Sequence, residues 1–200
     1  GVHAPAMAEH ALAMALSLTR KLPELHEHQL AGKWAPVHAR KELHGANVLL
    51  LGTGYLARAC KTVDAKMVYI STDYVFSGEA WRPYTEADPT GPLSVYGATK
   101  LAGELAIRES GCRAAIIRTS WLYSEYGSNF VKTMLRLGGE RDEVRVVCDQ
   151  IGGPTYAGDL AAAVLRLPDR LPADGVEVYH FADEGVCSWF DFAKAIMETA

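Results

Sequence analysis

The sequence has no basic stripe, no long apolar run and no C-x-x-C motif. Its 20 Lys and Arg are interspersed with 24 Asp and Glu, so nucleic-acid binding, which needs clustered cations, is not expected. No apolar run approaches the roughly 18 residues of a membrane span, and no membrane association is expected. No signal peptide is evident, which predicts reduced thiols in a cytoplasmic protein, with disulfides in a secreted chain as the alternative. The cysteines are Cys60, Cys112, Cys148 and Cys187.

Apolar segments typical of strands alternate with helical patterns along most of the chain. With 200 residues, 49% of them hydrophobic, the chain is long enough for one sizeable core. The alternation predicts a mostly parallel sheet with helices on both faces. Asp159 and Ser188 are expected to be the N-caps of the last two helices. Strands are predicted at 47–51, 66–71, 113–119, 144–148 and 176–181.

Tyr96 and Lys100 are spaced four residues apart in a predicted helix over 93–110, so they share a helix face. A phenol is a weak acid, and a nearby ammonium stabilises its phenolate form. Such a phenol can give a proton to a carbonyl oxygen while a hydride arrives at carbon. The lysine can also bind the ribose of a cofactor. Taken alone, the spacing fits two unrelated surface residues as well.

Polar and aromatic side chains follow two of the predicted strands. The strand over 66–71 runs into Ser71 and Thr72, and ligands bind beyond the carboxyl ends of parallel strands. A hydroxyl there can hold the carbonyl oxygen of a substrate beside Tyr96. The next strand leads to Trp121, for which a core position and a stacking platform for a sugar or base are equally compatible.

Six blocks of sequence follow one another between residues 70 and 155: Ile70-Ser-Thr-Asp-Tyr-Val-Phe76, Pro83-Tyr-Thr-Glu86, Pro92-Leu-Ser-Val-Tyr-Gly-Ala-Thr-Lys-Leu-Ala-Gly-Glu104, Arg118-Thr-Ser-Trp121, Asn129-Phe-Val-Lys-Thr-Met134 and Asp149-Gln-Ile-Gly-Gly-Pro-Thr155. Together they resemble the dTDP-4-dehydrorhamnose reductases, which are extended short-chain dehydrogenases. The resemblance covers residues 66–200 and implies reduction of a nucleotide-sugar substrate, dTDP-4-dehydro-L-rhamnose, to dTDP-L-rhamnose with NADPH or NADH. The residues do not decide between the two cofactors.

The resemblance also implies roles for individual residues. The catalytic set is Thr72, Tyr96 and Lys100, and the last two double as cofactor contacts together with Ser71. No metal site is expected, because the histidines cluster near the N-terminus without metal-binding spacing. The implied substrate contacts are Thr72, Asp73, Trp121 and Asn129, with Phe76 and Gln150 as further candidates.

Residues 1–60 contain a different set of blocks: Ala8-Glu-His10, Leu22-Pro-Glu-Leu25, Ala31-Gly-Lys-Trp34, Glu42-Leu-His-Gly45 and Asn47-Val-Leu-Leu-Leu-Gly-Thr-Gly54. These blocks resemble the interdomain helix and first cofactor-binding strand of the D-2-hydroxyacid dehydrogenases. Gly52-x-Gly54-x-x-Ala57 fits the dinucleotide-binding fingerprint of Rossmann-like domains, so Gly52 and Gly54 are expected to contact the cofactor's pyrophosphate. The catalytic Arg, Glu and His of that family are absent downstream. Hydroxyacid dehydrogenase activity is therefore not predicted.

The two resemblances meet at a join near residues 60–66. The acidic residue expected about 20 positions after the glycines is missing, and the next strand already ends at Thr72, so two strands of the usual sheet are expected to be absent. We expect an N-terminal helix and linker (1–45) and a chimeric, C-terminally truncated Rossmann-like reductase domain (46–200). The open sheet edge needs a cover, either the N-terminal helix or a second subunit in a homodimer. A non-catalytic nucleotide-binding or regulatory subunit, or an inactive fusion fragment, is the alternative.

Overall fold

The computed structural model describes residues 47–50, 54–168, 170–171 and 173–200, with residues 47–50 and Tyr55 described by their backbone only. The strands are β1 (Asn47–Leu50), β2 (Lys66–Thr72), β3 (Ala114–Thr119), β4 (Leu122–Tyr123), β5 (Ile151–Gly152), β6 (Thr155–Tyr156), β7 (Val176–Phe181) and β8 (Cys187–Ser188). The main sheet has four parallel strands in the order β1–β2–β3–β7. Two short pairs accompany it, β4 with β6 (parallel) and β5 with β8 (antiparallel).

Helices cover both faces of this sheet, as predicted. Alternate residues of β2 point to opposite sides of the sheet. Met67 and Tyr69 pack against the helices over 54–62 and 95–110, and Val68 packs against the helix over 157–166. In the part of the chain that the structure describes, no strand lies between β1 and β2 in sequence and none pairs with the other edge of β1, in keeping with the predicted lack of two strands. The helices are α1 (Gly54–Thr62), α2 (Val95–Ser110), α3 (Phe130–Glu140), α4 (Ala157–Arg166) and α5 (Trp189–Thr199).

Helices α3 and α5 form a separate small core through Met134, Ala193 and Ile196. The predicted strand over 144–148 is wrong, because this segment lies against that helix pair instead of joining a sheet. Its alternating valines, Val144 and Val146, bury one side of an extended segment on the helices. Alternation therefore reported a buried side and not a strand.

The two predicted helix caps had different outcomes. Ser188 is the N-cap of α5, as predicted, and the structure adds a capping box with Asp191. The prediction for Asp159 is wrong: α4 begins at Ala157, directly after β6, and Asp159 lies in its first turn. A carboxylate in the first turn still interacts favourably with the helix dipole, which explains why the residue type fits the place.

Several predictions fall on residues outside the described ranges. They are the N-terminal helix, the clustered histidines and Gly52. Within the described ranges, no helix has the length and apolarity to cross a membrane, and no group of three potential ligands could hold a metal ion. The four cysteines form no disulfide.

Candidate active site

Helix α2 lies against the carboxyl-terminal half of β2 and brings Lys100 to the end of that strand. Lys100 Nζ donates to the carbonyl oxygen of Ile70 at 2.6 Å and lies 4.7 Å from the centroid of the Tyr69 ring. Tyr69 returns a bond from its hydroxyl to the Lys100 carbonyl at 3.2 Å. Burial lowers the pKa of Lys100, an effect that the nearby Glu104 carboxylate opposes. The Lys100 ammonium is thus held at the backbone of Ile70, which precedes Thr72 by two residues on β2.

Tyr96 lies one helical turn before Lys100, and its side chain is 55% exposed. Its ring meets the ring of Tyr74 edge to face, with the centroids 6.1 Å apart. The helix can approach this closely because the next residue is Gly97, where an added Cβ would be 2.1 Å from the Tyr74 carbonyl oxygen. The phenol therefore stands at the rim of the sheet, open to an incoming molecule.

Thr72 is buried at the end of β2, and both of its hydrogen-bonding functions have partners. Its hydroxyl donates to Asp73 Oδ1 at 2.9 Å and accepts from the amide of Tyr74 at 3.2 Å. Burial raises the pKa of Asp73, against the lowering effect of the Thr72 bond. For Thr72 to donate to a substrate oxygen, its hydroxyl must give up the hydrogen bond to Asp73 and turn toward that oxygen.

A buried ion pair beneath these residues was missed by the sequence analysis. Glu104 accepts from Arg118 Nε and Nη2 at 3.1 and 2.7 Å, and from the Ser71 hydroxyl at 2.5 Å. The hydroxyl of Ser71, which was predicted to contact the cofactor, is therefore directed into the protein. One signal was available, since Lys100 and Glu104 are spaced for one helix face and an arginine ends an otherwise apolar strand.

The polar loop that follows β2 is held in place by contacts with β3 and β7. Phe76 is buried, stacks on Tyr84 with centroids 4.3 Å apart, and lies 5.0 Å from Arg118 Cζ. Glu86 accepts from the backbone amide of His180 on β7 at 2.9 Å, and this bond is the main reason that the pKa of Glu86 is lowered. These contacts give Phe76 and Glu86 structural roles in holding the loop.

Trp121 follows β3 in a left-handed backbone conformation, with φ at 47°. Its indole is partly exposed and stacks on Trp189 at a centroid distance of 3.6 Å. Asn129 is the N-cap of α3, where Oδ1 accepts from Lys132 N, and Gln150 is exposed just before β5. Substrate contact by all three residues stays a prediction.

The described part of the predicted cofactor-binding turn consists of the start of α1. Gly54 is the first residue of this helix, and an added Cβ would be 2.6 Å from Ala106 Cβ on α2. A side chain at this position would therefore separate the two helices. The helix start follows β1 at the same sheet edge as the end of β2, because the two strands are parallel neighbours. This placement suits the N-terminus of α1 for a phosphate group.

Comparison with known proteins identifies the family. Residues 38–200 match the family model described as the RmlD substrate binding domain. This match begins upstream of residue 66, where the resemblance to the reductases was expected to begin. The chain is 48% identical over 159 residues to the spore coat polysaccharide biosynthesis protein SpsK of Bacillus subtilis (strain 168), which covers 79% of this chain and 55% of that protein. It is 45% identical over 148 residues to the dTDP-4-dehydrorhamnose reductase of Escherichia coli (strain K12), which covers 72% and 49%.

A solved structure agrees with these matches. The dTDP-4-dehydrorhamnose reductase from Bacillus anthracis str. Ames in complex with NADP aligns with a TM-score of 0.68 and 48% identity over 73% of this chain and 51% of that one. The chain spans about half the length of the relatives that it matches. On the family match, the sequence identity and the shared fold, the chain belongs to the RmlD substrate binding domain family.

Proposed function

We propose that this chain carries the proton-donating and sugar-binding part of an NAD(P)H-dependent reductase that converts dTDP-4-dehydro-L-rhamnose to dTDP-L-rhamnose. Its support is the arrangement at the end of β2. There Lys100 is anchored on the Ile70 carbonyl, and Tyr96 stands one helical turn away beside Tyr74, whose amide donates to Thr72. Relatives of about 45% identity bear the name of this reductase.

The site suits a nicotinamide cofactor by the chemistry of its donors. In the described part of the chain, Ile70 O is the one hydrogen-bond acceptor of the Lys100 ammonium, which leaves two N–H donors for a ribose hydroxyl. The N-terminus of α1 would hold the pyrophosphate. When bound, the dihydronicotinamide supplies the hydride that reduces the sugar carbonyl.

The residues of this chain would then manage the proton and the carbonyl oxygen. Thr72 would hold that oxygen once its hydroxyl turns from Asp73, and Tyr96 would deliver the proton from its exposed position. Lys100 would stabilise the phenolate that remains after transfer. Because the ammonium is anchored before any substrate arrives, its position needs no rearrangement during the reaction.

Cofactor binding gives the first test. Titration of NADPH with the protein, followed by the fluorescence of the dihydronicotinamide, is expected to show saturable binding. Binding without turnover of the dTDP-4-keto sugar would favour the alternative, a non-catalytic nucleotide-binding subunit. Absence of binding would contradict the proposed reductase.

A tyrosine variant tests the proton donor. Tyr96→Phe removes the phenolic proton and is expected to lower kcat roughly 100- to 10,000-fold, the usual range for a general acid. The measurement is NADPH oxidation in the presence of the dTDP-4-keto sugar. Tyr126→Phe is the matched control, since the Tyr126 side chain is 79% exposed and lies outside the proposed site. Equal rates for Tyr96→Phe and the unaltered protein would refute the assignment.

A further inference from the structure

Trp121 pairs an unfavourable backbone conformation with a tightly packed side chain. Its φ of 47° lies in the left-handed region, which is unfavourable for a non-glycine residue. Such conformations persist only where the surroundings enforce them, and they cluster at functional sites. Here the Trp121 carbonyl accepts from the Thr155 amide at 3.3 Å, and the preceding Ser120 hydroxyl donates to Gly153 O at 2.6 Å. The backbone is therefore held on both sides of the outlier.

The indole itself is held by residues distant in sequence. Trp189 covers one face at 3.6 Å with only 13° between the two ring planes. Gly152 lies against the side of the ring that bears Nε1, Cε2 and Cζ2, and an added Cβ there would be 2.7 Å from Cε2. Ile151 pairs with Ser188, and Gly152 pairs with Cys187. The pairing of β5 with β8 therefore positions both Gly152 and Trp189, which follows Ser188. Trp189 is further fixed by Phe130, whose ring centroid is 4.5 Å away.

We propose that Trp189 is a positioning residue that fixes the Trp121 indole in the orientation in which it receives the nucleotide sugar. The inference rests on the proposed function, because Trp121 is taken as the substrate contact. Trp189 starts α5 directly after its Ser188 cap, so the capping box sets where its ring is presented. The aromatic pair thus transmits the position of α5 to the site without Trp189 touching the reacting atoms.

The first variant removes the stacking partner. Trp189→Leu keeps an apolar side chain but loses the aromatic pair, which is worth about 0.5–1.5 kcal/mol and corresponds to a roughly 2- to 13-fold loss of affinity. We expect KM for the keto sugar and Kd for dTDP-L-rhamnose, measured by calorimetry, to rise by this factor. The value of kcat should stay within about twofold, because Thr72, Tyr96 and Lys100 are untouched. Trp189→Phe keeps an aromatic ring and should restore the affinity.

A second variant displaces Trp121 through its contact with Gly152 and leaves Trp189 intact. Gly152→Ala places a methyl group where the indole now lies, and its φ is not among the positive values, so the change acts on the contact. The same rise in KM and Kd is expected, together with a weaker exciton couplet in the circular dichroism of the stacked indoles. Gly139→Ala on α3 is the matched control, since an added Cβ there meets nothing within 4 Å.

The outcomes separate this inference from the proposed function. If the unaltered protein binds dTDP-L-rhamnose but does not reduce the keto sugar, the reductase proposal fails, and the Kd comparison still decides the role of Trp189. The inference is overturned if Gly152→Ala or a folded Trp189→Leu loses the couplet and keeps the original Kd. It is also overturned if Trp189→Phe binds as weakly as Trp189→Leu, or if the unaltered protein does not bind dTDP-L-rhamnose.

Discussion

Replacing Glu104 with glutamine would expose how strongly the site depends on its buried ion pair. The side chains of Glu104 and Arg118 are 2% and 5% exposed, and the pair makes two direct hydrogen bonds. Glu104→Gln preserves the shape but leaves the guanidinium charge buried without compensation. Breaking a buried pair in this way costs about 3–5 kcal/mol. Arg118 Nη1 already lacks a hydrogen-bond partner within the described residues. Without the Glu104 carboxylate, few polar groups there would stabilise the buried guanidinium charge.

Such a loss is large against the whole stability of a domain, which is about 5–15 kcal/mol. For a chain of this size, each kcal/mol shifts Tm by about 2–4 °C, so Glu104→Gln should lower Tm by roughly 6–20 °C. Urea unfolding followed by circular dichroism measures the same difference as a change in the free energy of unfolding. The Ser71 hydroxyl would also lose its carboxylate acceptor.

Two further variants show whether burial is the reason. Glu140→Gln breaks the surface pair with Arg136, whose side chains are 53% and 59% exposed, and should cost only about 0.3–0.5 kcal/mol. Replacing Glu104 and Arg118 together with methionine removes both charges and should recover much of the loss. If Glu104→Gln and Glu140→Gln destabilised the protein equally, the reasoning from burial would be refuted.

Two other predictions concern the elements that hold the site. Gly97→Ala would force α2 away from Tyr74 O and should destabilise the protein by about 1–3 kcal/mol in urea unfolding, whereas Gly139→Ala should not. Ser188→Ala should cost about 0.5–2 kcal/mol of the cap. The Ser188 bonds lower the pKa of Asp191, so their contribution is present above its unfolded-state pKa and is lost as pH falls through the folded value. The deficit of Ser188→Ala should therefore shrink on acidification, and a pH-independent deficit would contradict this linkage.

Local patterns in the sequence predicted the elements that depend on near neighbours. The i, i+4 spacing of Tyr96 and Lys100 placed both on α2, and Ser188 was correctly predicted as the N-cap of α5. The alternation of strand and helix signals predicted the parallel sheet and its two covered faces. The catalytic and binding roles of the site residues remain predictions, because they depend on molecules that bind to the chain.

Other features arose only when distant segments met. Arg118 reaches Glu104 because β3 lies beside β2 under α2, and Trp121 reaches Trp189 because β5 pairs with β8. The segment over 144–148 shows the same limit, since alternation reports which side of a backbone is buried and not whether a neighbouring strand is there to pair with it. The sequence by itself determined the strands of the main sheet, the helices around it and the chemical groups that they carry. Packing between segments far apart in the chain decided which charges are buried and how the aromatic side chains are held, because burial is a property of the folded neighbourhood.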